Sequence, residues 1–343
     1  MRYRRRVRRE RDQALARWTT FGVGGPARTL WTAERDEELV EAAEAGATVL
    51  AGGSNVLVSD AGLADVVLVR TRGLSIADDG VTVTAAAGEP WDDVPALAAR
   101  LGLWGVECLS GIPGSVGATP VQNVGAYGQE VSDTIREVRA WDRPAGRAVT
   151  LTPRELAFGY RDSALKGAHA GRFLVLSVVF SLRRERGPAP AYQELATALG
   201  PGGGATPAEV RDVVIALRRR KGMVLDTNDP DTRGAGSFFT NPTLGAAALD
   251  ALRALAGAVP AHAAPDGRAK VPAAWLIERA GFTKGYARAG AAISSKHALA
   301  LTSRGGAAAD VFALAREIRD GVRARLGVTL VPEPVLLGFD EPL

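Results

Sequence analysis

Along the first two-thirds of the chain, apolar residues cluster in short β-branched runs separated by glycine- and proline-bearing turns such as Asp79-Gly80 and Pro144-Ala145-Gly146. That pattern predicts strands over residues 48–51, 66–70, 81–86, 135–142 and 172–182. The run 173–182 (FLVLSVVFSL) is ten residues long, too short to span a bilayer and rich enough in β-branched residues to be a buried strand. Two helices interrupt the strands, one over 34–45 and one that opens at Pro90 and ends near Gly102. Residues 187–207 hold four prolines and five glycines, which predicts a linker or mobile loop and not packed structure. Beyond it the period turns helical, over 208–221, 246–256, 273–280 and 307–326. The last of these places Val311, Leu314, Ala315, Ile318, Val322 and Leu326 on one face and Glu317, Arg319, Asp320 and Arg323 on the other. A strand-like run, 328–337, closes the chain. No internal repeat is present, and the pattern predicts an α+β protein of two domains.

Length and composition agree. The 343 residues, 46% apolar and 23% charged, suit a globular chain that buries roughly three-quarters of its unfolded surface. One cysteine, Cys108, excludes an internal disulfide, and with only His169, His262 and His297 besides, a Cys/His zinc cluster is excluded too; no metal is expected. The basic balance is local: residues 1–12 carry seven arginines against two acids, a net +5, while the whole chain is +4, leaving residues 13–343 at −1. A solvated arm accounts for such a run better than a nucleic-acid or lipid contact. No apolar stretch of signal-peptide length follows it. The expectation is a soluble, cytoplasmic protein, without nucleic-acid partner or membrane insertion, and monomeric.

Two glycine-rich stretches carry candidate chemistry. The first runs from an apolar strand into Gly52-Gly53-Ser54-Asn55-Val56. The second, residues 110–128, has glycines at 111, 114, 117, 125 and 128. Glycine at this density lets successive amides turn toward one anion and lets a flat ligand approach the backbone, so pyrophosphate is the natural guest. No P-loop signature exists, and Gly22-Val-Gly24-Gly-Pro-Ala27 matches a dinucleotide fingerprint in letters only, since no buried strand precedes it and Pro26 sits inside it.

With those loops in hand, the chain resembles the UDP-N-acetylenolpyruvoylglucosamine reductase (UDP-N-acetylmuramate dehydrogenase) family. Thr19-Thr-Phe-Gly22, Gly52-Gly-Ser-Asn55, Gly111-Ile-Pro-Gly-Ser-Val-Gly117 and Gln122-Asn-Val-Gly-Ala-Tyr-Gly128 are similar to its flavin-binding half. Phe158-Gly-Tyr-Arg-Asp-Ser163, Gly236-Ser-Phe-Phe-Thr-Asn-Pro242, Ala273-Ala-Trp-Leu-Ile-Glu278 and Pro332-Glu333 are similar to the rest. The resemblance implies a two-subdomain FAD-binding fold of the vanillyl-alcohol-oxidase (PCMH) type plus a smaller C-terminal α/β substrate-binding domain. The implied division is a disordered basic tail over 1–17, an FAD-binding domain over 18–205 (subdomains 18–72 and 73–205) and a substrate-binding domain over 206–326. A segment 327–343 would return to the FAD domain with Glu333. The implied reaction is NADPH-dependent, FAD-mediated reduction of UDP-N-acetylglucosamine enolpyruvate to UDP-N-acetylmuramate in cell-wall precursor synthesis. The first histidine, His169, lies well outside both glycine loops, which predicts FAD held without a covalent tether.

Hydride addition to the β-carbon of an unsaturated carboxylate leaves negative charge on the α-carbon and carboxylate. The chemistry therefore needs a fixed cation, a second polarising group and a proton source. The resemblance assigns Arg161, Glu333 and Ser237 to these roles in turn. It assigns cofactor contacts to Gly52, Gly53, Ser54, Asn55, Val56, Gly111, Gly114, Ser115, Val116, Gly117, Thr119, Gln122, Asn123, Gly125, Ala126 and Arg218. Substrate contacts fall to Tyr160, Arg161, Tyr192, Lys221, Ser237 and Asn241, with Lys221 and Asn241 on the diphosphate and uridine and Tyr192 as a lid. Residues 222–233 and Ser294-Ser295-Lys296-His297 depart from the family pattern and receive no role. Another FAD oxidoreductase of the same superfamily, acting on a sugar or hydroxy acid, would fit the glycine loops equally well. It would not call for Arg161, Ser237 and Glu333 in these contexts.

Overall fold

The computed structural model describes residues 7–187, 192–200, 205–264 and 266–343. The chain divides into two units. The first contains the described residues through Gln13, Ala27–Gly53 and Ala64–Arg220; the second contains Ala14–Pro26, Ser54–Leu63 and Lys221–Leu343.

The first unit is built on two sheets. The smaller orders strands Arg8–Ala14, Pro26–Ala33, Leu63–Val69 and Thr48–Leu50 side by side. Its Thr48–Leu50 strand runs parallel to Leu63–Val69, with Val49 opposite Val67. Helix Asp36–Glu44 opens with three acids, which suit the positive end of its dipole. It buries Leu39 and Ala42 in a cluster with Trp31, Val67 and Val69. The larger sheet is antiparallel, in the order Arg147–Leu151, Ile135–Asp142, Phe173–Ser181, Thr82–Ala86, Leu74–Ile76. Its central strand is the long apolar run, whose Leu174, Leu176, Val178 and Phe180 are buried. Trp91 packs against Phe180 at 5.7 Å between ring centroids and donates its indole N–H to the Leu109 carbonyl at 2.9 Å.

The second unit joins helices Ala246–Ala256, Ala273–Arg279 and Ala308–Leu326 to a sheet ordered Gly234–Ser237, Ala300–Ser303, Ala291–Ile293, Ala287–Arg288. The predicted apolar face of the long helix is buried throughout. Phe282 packs where Gly321 lacks a side chain: a Cβ there would lie 2.6 Å from the ring. Strand Val335–Leu337 pairs parallel to Val56–Val58.

Four expectations need correction. The disordered tail does not hold over 8–17, where Arg8–Ala14 is an edge strand and Leu15 is fully buried at the start of a short helical turn; Arg8, Arg9 and Arg11 are exposed on that strand, and Arg9 stacks over Trp31 at 3.7 Å. Residues 1–6 lie outside the described residues. The stretch expected to be an unpacked linker contains helix Gln193–Leu199, whose Leu195 is fully buried with Trp104, Val210, Val214 and Leu217; residues 188–191 and 201–204 of that stretch lie outside the described residues. Helix Pro207–Arg220 belongs to the first unit, not the second, and residues 54–63 belong to the second. The last third is not purely helical, because strands such as Ala291–Ile293 are built from alanine and carry too little β-branched signal to be seen.

Candidate functional site

In the first unit the two glycine loops touch. Gly53 adopts φ 61°, Gly111 φ 70° and Gly114 φ 130°, all in the region that favours glycine. Gly52 approaches Gly114 so closely that a Cβ on Gly52 would lie 2.5 Å from the Gly114 Cα. The second loop is bonded to the segment that follows strand Thr82–Ala86. The Val116 amide donates to the Glu89 carbonyl at 2.9 Å, the Gly117 amide to the Ala87 carbonyl at 2.9 Å, and the Trp91 amide to the Gly114 carbonyl at 3.0 Å. Gly111 donates its amide to Asp92 Oδ1 at 2.6 Å, and Asp92 is itself held by both guanidinium nitrogens of Arg211 at 2.7 and 2.6 Å. No sequence motif marks Asp92 or Arg211 as a loop support; Asp92 lies two residues after Pro90, where the sequence signals only a helix start. The cradle is all backbone and small polar groups, with no room for side chains on its floor. That chemistry fits a dinucleotide diphosphate and a flat ring, and the residues present fit FAD.

Several residues assigned to the cofactor are spent on bracing that cradle. Ser115 and Val116 are buried. Thr119, 3% exposed, donates its hydroxyl to the Val116 carbonyl at 2.8 Å. Asn123, at φ 47°, donates Nδ2 to Glu130 Oε2 at 2.7 Å and to the Gly159 carbonyl at 3.0 Å, while its Oδ1 accepts the Ser132 amide at 3.2 Å. Gly125 and Ala126 form a short ladder with Glu130 and Gln129.

Arg161 stands beside that ladder. It is a non-glycine residue at φ 54°, a conformation in which bulky residues are uncommon. Its Nη2 donates to the Gly125 carbonyl at 2.6 Å and its Nη1 to the Asn123 carbonyl at 3.4 Å, and it lies over the ring of Tyr160, which is exposed. Nearby in sequence, Tyr127 at φ 51° meets Tyr192 edge-on, with centroids 5.3 Å apart. Arg218, 8% exposed, interacts electrostatically with the Tyr127 phenol. Burial pushes the Arg218 guanidinium down to about 10 despite that phenol. Burial likewise pushes the Tyr127 phenol up to about 12, which keeps it protonated.

The second unit holds Ser54, Asn55, Val56, Lys221, Ser237, Asn241 and Glu333. Ser237 ends strand Gly234–Ser237, opposite Ala300. The next residue accepts through its carbonyl the amide of Glu333 at 2.8 Å, and Phe239 bridges Pro332. Asn55 donates Nδ2 to the Glu333 carbonyl at 3.3 Å, while the Asn55 carbonyl accepts the Val335 amide at 3.0 Å. Two buried phenylalanines, 238 and 239, pack behind this arrangement, Phe238 edge-on to Phe21. Asn241 accepts the Ala273 amide at 2.8 Å through Oδ1 and so caps helix Ala273–Arg279. Lys221 follows directly on helix Pro207–Arg220, and Gln122 and Ser54 lie half-buried in their loops.

The sequence comparisons decide between the flavin readings. A family model described as the UDP-N-acetylenolpyruvoylglucosamine reductase C-terminal domain matches residues 229–337, and one described as an FAD binding domain matches residues 33–152. A UDP-N-acetylenolpyruvoylglucosamine reductase of Mycobacterium sp. (strain MCS) is 53% identical over 340 residues, covering 96% of each chain. The chain belongs to the UDP-N-acetylenolpyruvoylglucosamine reductase family. A second such reductase, from Thermobifida fusca, is 49% identical and covers 96% of this chain and 98% of its own. The crystal structure of UDP-N-acetylenolpyruvylglucosamine reductase from Thermus caldophilus superimposes with a TM-score of 0.65 at 29% identity, over 97% of this chain and 99% of that one. The FAD-binding match covers both glycine loops, and the reductase C-terminal match covers Ser237, Asn241 and Glu333. Residues 153–228, with Arg161, Tyr192, Arg218 and Lys221, fall between the two. No described helix is long and apolar enough to cross a membrane, and no group of His, Cys, Asp and Glu among the described residues is arranged to hold a metal ion.

Proposed function

We propose that this chain catalyses the NADPH-dependent reduction of UDP-N-acetylglucosamine enolpyruvate to UDP-N-acetylmuramate, a step of peptidoglycan precursor synthesis, with FAD held non-covalently between the glycine loops. When bound, FAD supplies a two-electron relay that accepts hydride from NADPH and delivers it to the enolpyruvyl β-carbon. Everything else falls to side chains of the protein. Gly52 to Val56 and Gly111 to Gly117 receive the diphosphate along their backbone, whose shape is fixed by the Gly111, Val116 and Gly117 amides bonded to Asp92, Glu89 and Ala87, and the close approach of Gly52 to Gly114 supports that assignment. Cys108 is no rival tether: burial first, and the neighbouring Glu107 second, push its thiol up to about 12, far from the thiolate a covalent link would need.

Arg161 is the cation for the substrate carboxylate. Its fork is fixed by two backbone carbonyls before substrate arrives, so little ordering remains to be done as charge develops. Glu333 is the second polarising group. A carboxylate facing a growing dianion would repel it, so Glu333 acts as the neutral acid or through a bonded water. Ser237 gives its hydroxyl proton to the α-carbon, a transfer made favourable by the basicity of the carbanion it meets. Lys221 and Asn241 receive the nucleotide diphosphate and uridine, Tyr160 is a substrate contact, Tyr192 is a lid, and Arg218 is a cofactor contact. The observation that carries the reading is the hydrogen bond from the Glu333 amide to the Phe238 carbonyl, which sets the proposed polarising group and the proposed proton donor on adjoining backbone. The test is direct: the purified yellow protein should bleach with NADPH and recover its colour when the enolpyruvyl sugar nucleotide is added. A protein that bleaches but recovers only with oxygen, or with a simple 2-oxo acid, refutes the assignment.

A further inference from the structure

The Ser237 strand is weakly held by its own sequence. Gly234-Ala235-Gly236 offers no side chain larger than a methyl group, Gly236 turns into the left-handed region at φ 69°, and the pairing slips between Gly234↔Thr302 and Ser237↔Ala300. The position of Ser237 is therefore inherited from its neighbour, Ala300–Ser303, which is buried along its whole length.

One carboxylate grips that neighbouring strand at both ends. Asp231, six residues before Ser237 and 5% exposed, accepts the Ser295 hydroxyl at 2.5 Å and the Ser295 amide at 3.1 Å on the upstream side. On the downstream side it is ion-paired with Arg304. The Ser294 amide bonds the Ala300 carbonyl at 2.8 Å, which ties the Ser295 turn to the strand, and the Ser303 amide bonds the Arg233 carbonyl at 2.9 Å. A second ion pair, Lys296 to Asp229 at 2.5 Å, runs alongside. Burial alone would raise the Asp231 carboxyl, but the Ser295 bonds and Arg304 outweigh it and hold it below the usual carboxylate range. The same residue packs against Gly222, which follows the substrate-side lysine: Gly222, at φ 67°, lies so that a Cβ would fall 3.0 Å from the Asp231 carbonyl oxygen.

We infer that Asp231, through Ser295 and Arg304, is a positioning residue for the reaction, setting the Ser237 hydroxyl and, through Gly222, the Lys221 ammonium for the nucleotide sugar. This rests on the reading of Ser237 as proton donor. It gives a role to residues 222–233 and 294–297, the two segments that depart from the family pattern.

The test uses the FAD-loaded enzyme and two variants, Asp231→Asn and Ser295→Ala, with Ser237→Ala as control. Rapid mixing separates flavin reduction by NADPH from flavin reoxidation by substrate, and calorimetry reads UDP affinity independently of turnover. The expected result is flavin reduction within about twofold of the native rate and reoxidation slowed by about tenfold or more, with UDP affinity down by severalfold. General loosening of the fold would slow both half-reactions together, so an equal fall in both overturns the inference. So does a native reoxidation rate in both variants. Should Asp231→Asn fail to fold, Ser295→Ala, which keeps the charge pair with Arg304, decides alone. Loss of reoxidation in Ser237→Ala but not in the other two sinks the positioning role by itself. Unaffected reoxidation in Ser237→Ala sinks the donor assignment and the positioning role with it.

Discussion

Replacing Gly52 with alanine tests whether the contact between the glycine loops is what the cofactor needs. The added Cβ would lie 2.5 Å from the Gly114 Cα, 2.7 Å from its carbonyl carbon and 2.9 Å from the Ser115 nitrogen. Carbon atoms rest at about 3.5–4.0 Å, so the loops must part by about 1 Å. Neither side gives easily. Gly114 is held by the Trp91 amide at 3.0 Å, and Gly111, three residues earlier, by Asp92 at 2.6 Å. All three clashing atoms are backbone, so no rotamer change relieves them. Overpacking of this kind costs about 1–3 kcal/mol. If the diphosphate requires the loops in contact, that cost falls on binding, and the FAD dissociation constant rises by about tenfold to a hundredfold. Titration of the apoprotein with FAD, followed by quenching of flavin fluorescence, measures it, and the melting temperature of the apoprotein separates binding from folding. A variant with native FAD affinity refutes the cradle. One that loses thermal stability while keeping native affinity shows that the contact serves folding alone.

Three further outcomes follow from the geometry. Ser237→Ala should leave flavin reduction by NADPH intact and slow reoxidation by the enolpyruvyl substrate by orders of magnitude; two normal half-reactions would remove Ser237 from the chemistry. Arg161→Lys keeps the charge but loses the two-pronged contact now anchored on Gly125 and Asn123, and turnover should fall by about a hundredfold to a thousandfold; near-native steady-state rates would refute the clamp. Asp79 accepts the Val81 amide, the Thr82 hydroxyl and the Thr82 amide, which hold its carboxyl down to about 2. A carboxyl lowered by folding stabilises above its unfolded value near 4, and that contribution is lost as pH falls from there through about 2. A carboxyl-carbon NMR titration should place its midpoint near that lower value, and an ordinary midpoint would disprove the turn's role.

The parts of the fold legible in sequence are those whose side chains report their own environment. The run Phe173–Ser181 is apolar because it crosses the middle of a sheet, and Ala308–Leu326 shows a helical stripe because one face is buried and the other is not. Where packing is made by small residues or by distant partners, the signal vanishes. Strands Gly234–Ser237 and Ala300–Ser303 have almost no β-branched content and are defined by each other. Helix Gln193–Leu199 hides in a stretch rich in prolines and glycines, although Leu195 and Leu199 anchor it in a core. The edge strand Arg8–Ala14 looks like a charge run because five of its seven residues are charged; such charges keep an exposed edge from pairing with other chains.

The same distinction explains what the motifs could and could not reveal about the site. A motif fixes which residue stands at a position, but not whether its side chain faces a ligand or the scaffold. Asn123 and Asn241 both look like ligand contacts, and each also holds the scaffold: the first ties the loop to Glu130 and Gly159, and the second, through Oδ1, caps a helix that begins 32 residues later. Thr119 turns its proton back to Val116. Each of these bonds fixes backbone that the motif shares with a residue facing outward: Asn123 fixes the carbonyl that holds Arg161, and Asn241 follows the Ser237-Phe238-Phe239 segment bonded to Glu333. A diphosphate or an enolate needs donors already in place, because ordering them during the reaction would consume the energy that lowers the barrier. The polar residues of these motifs therefore divide their work. Those that brace set the positions, and those proposed to act (Arg161, Ser237 and Glu333) inherit them, so substitution of a bracing residue should move the chemistry as surely as substitution of a reacting one.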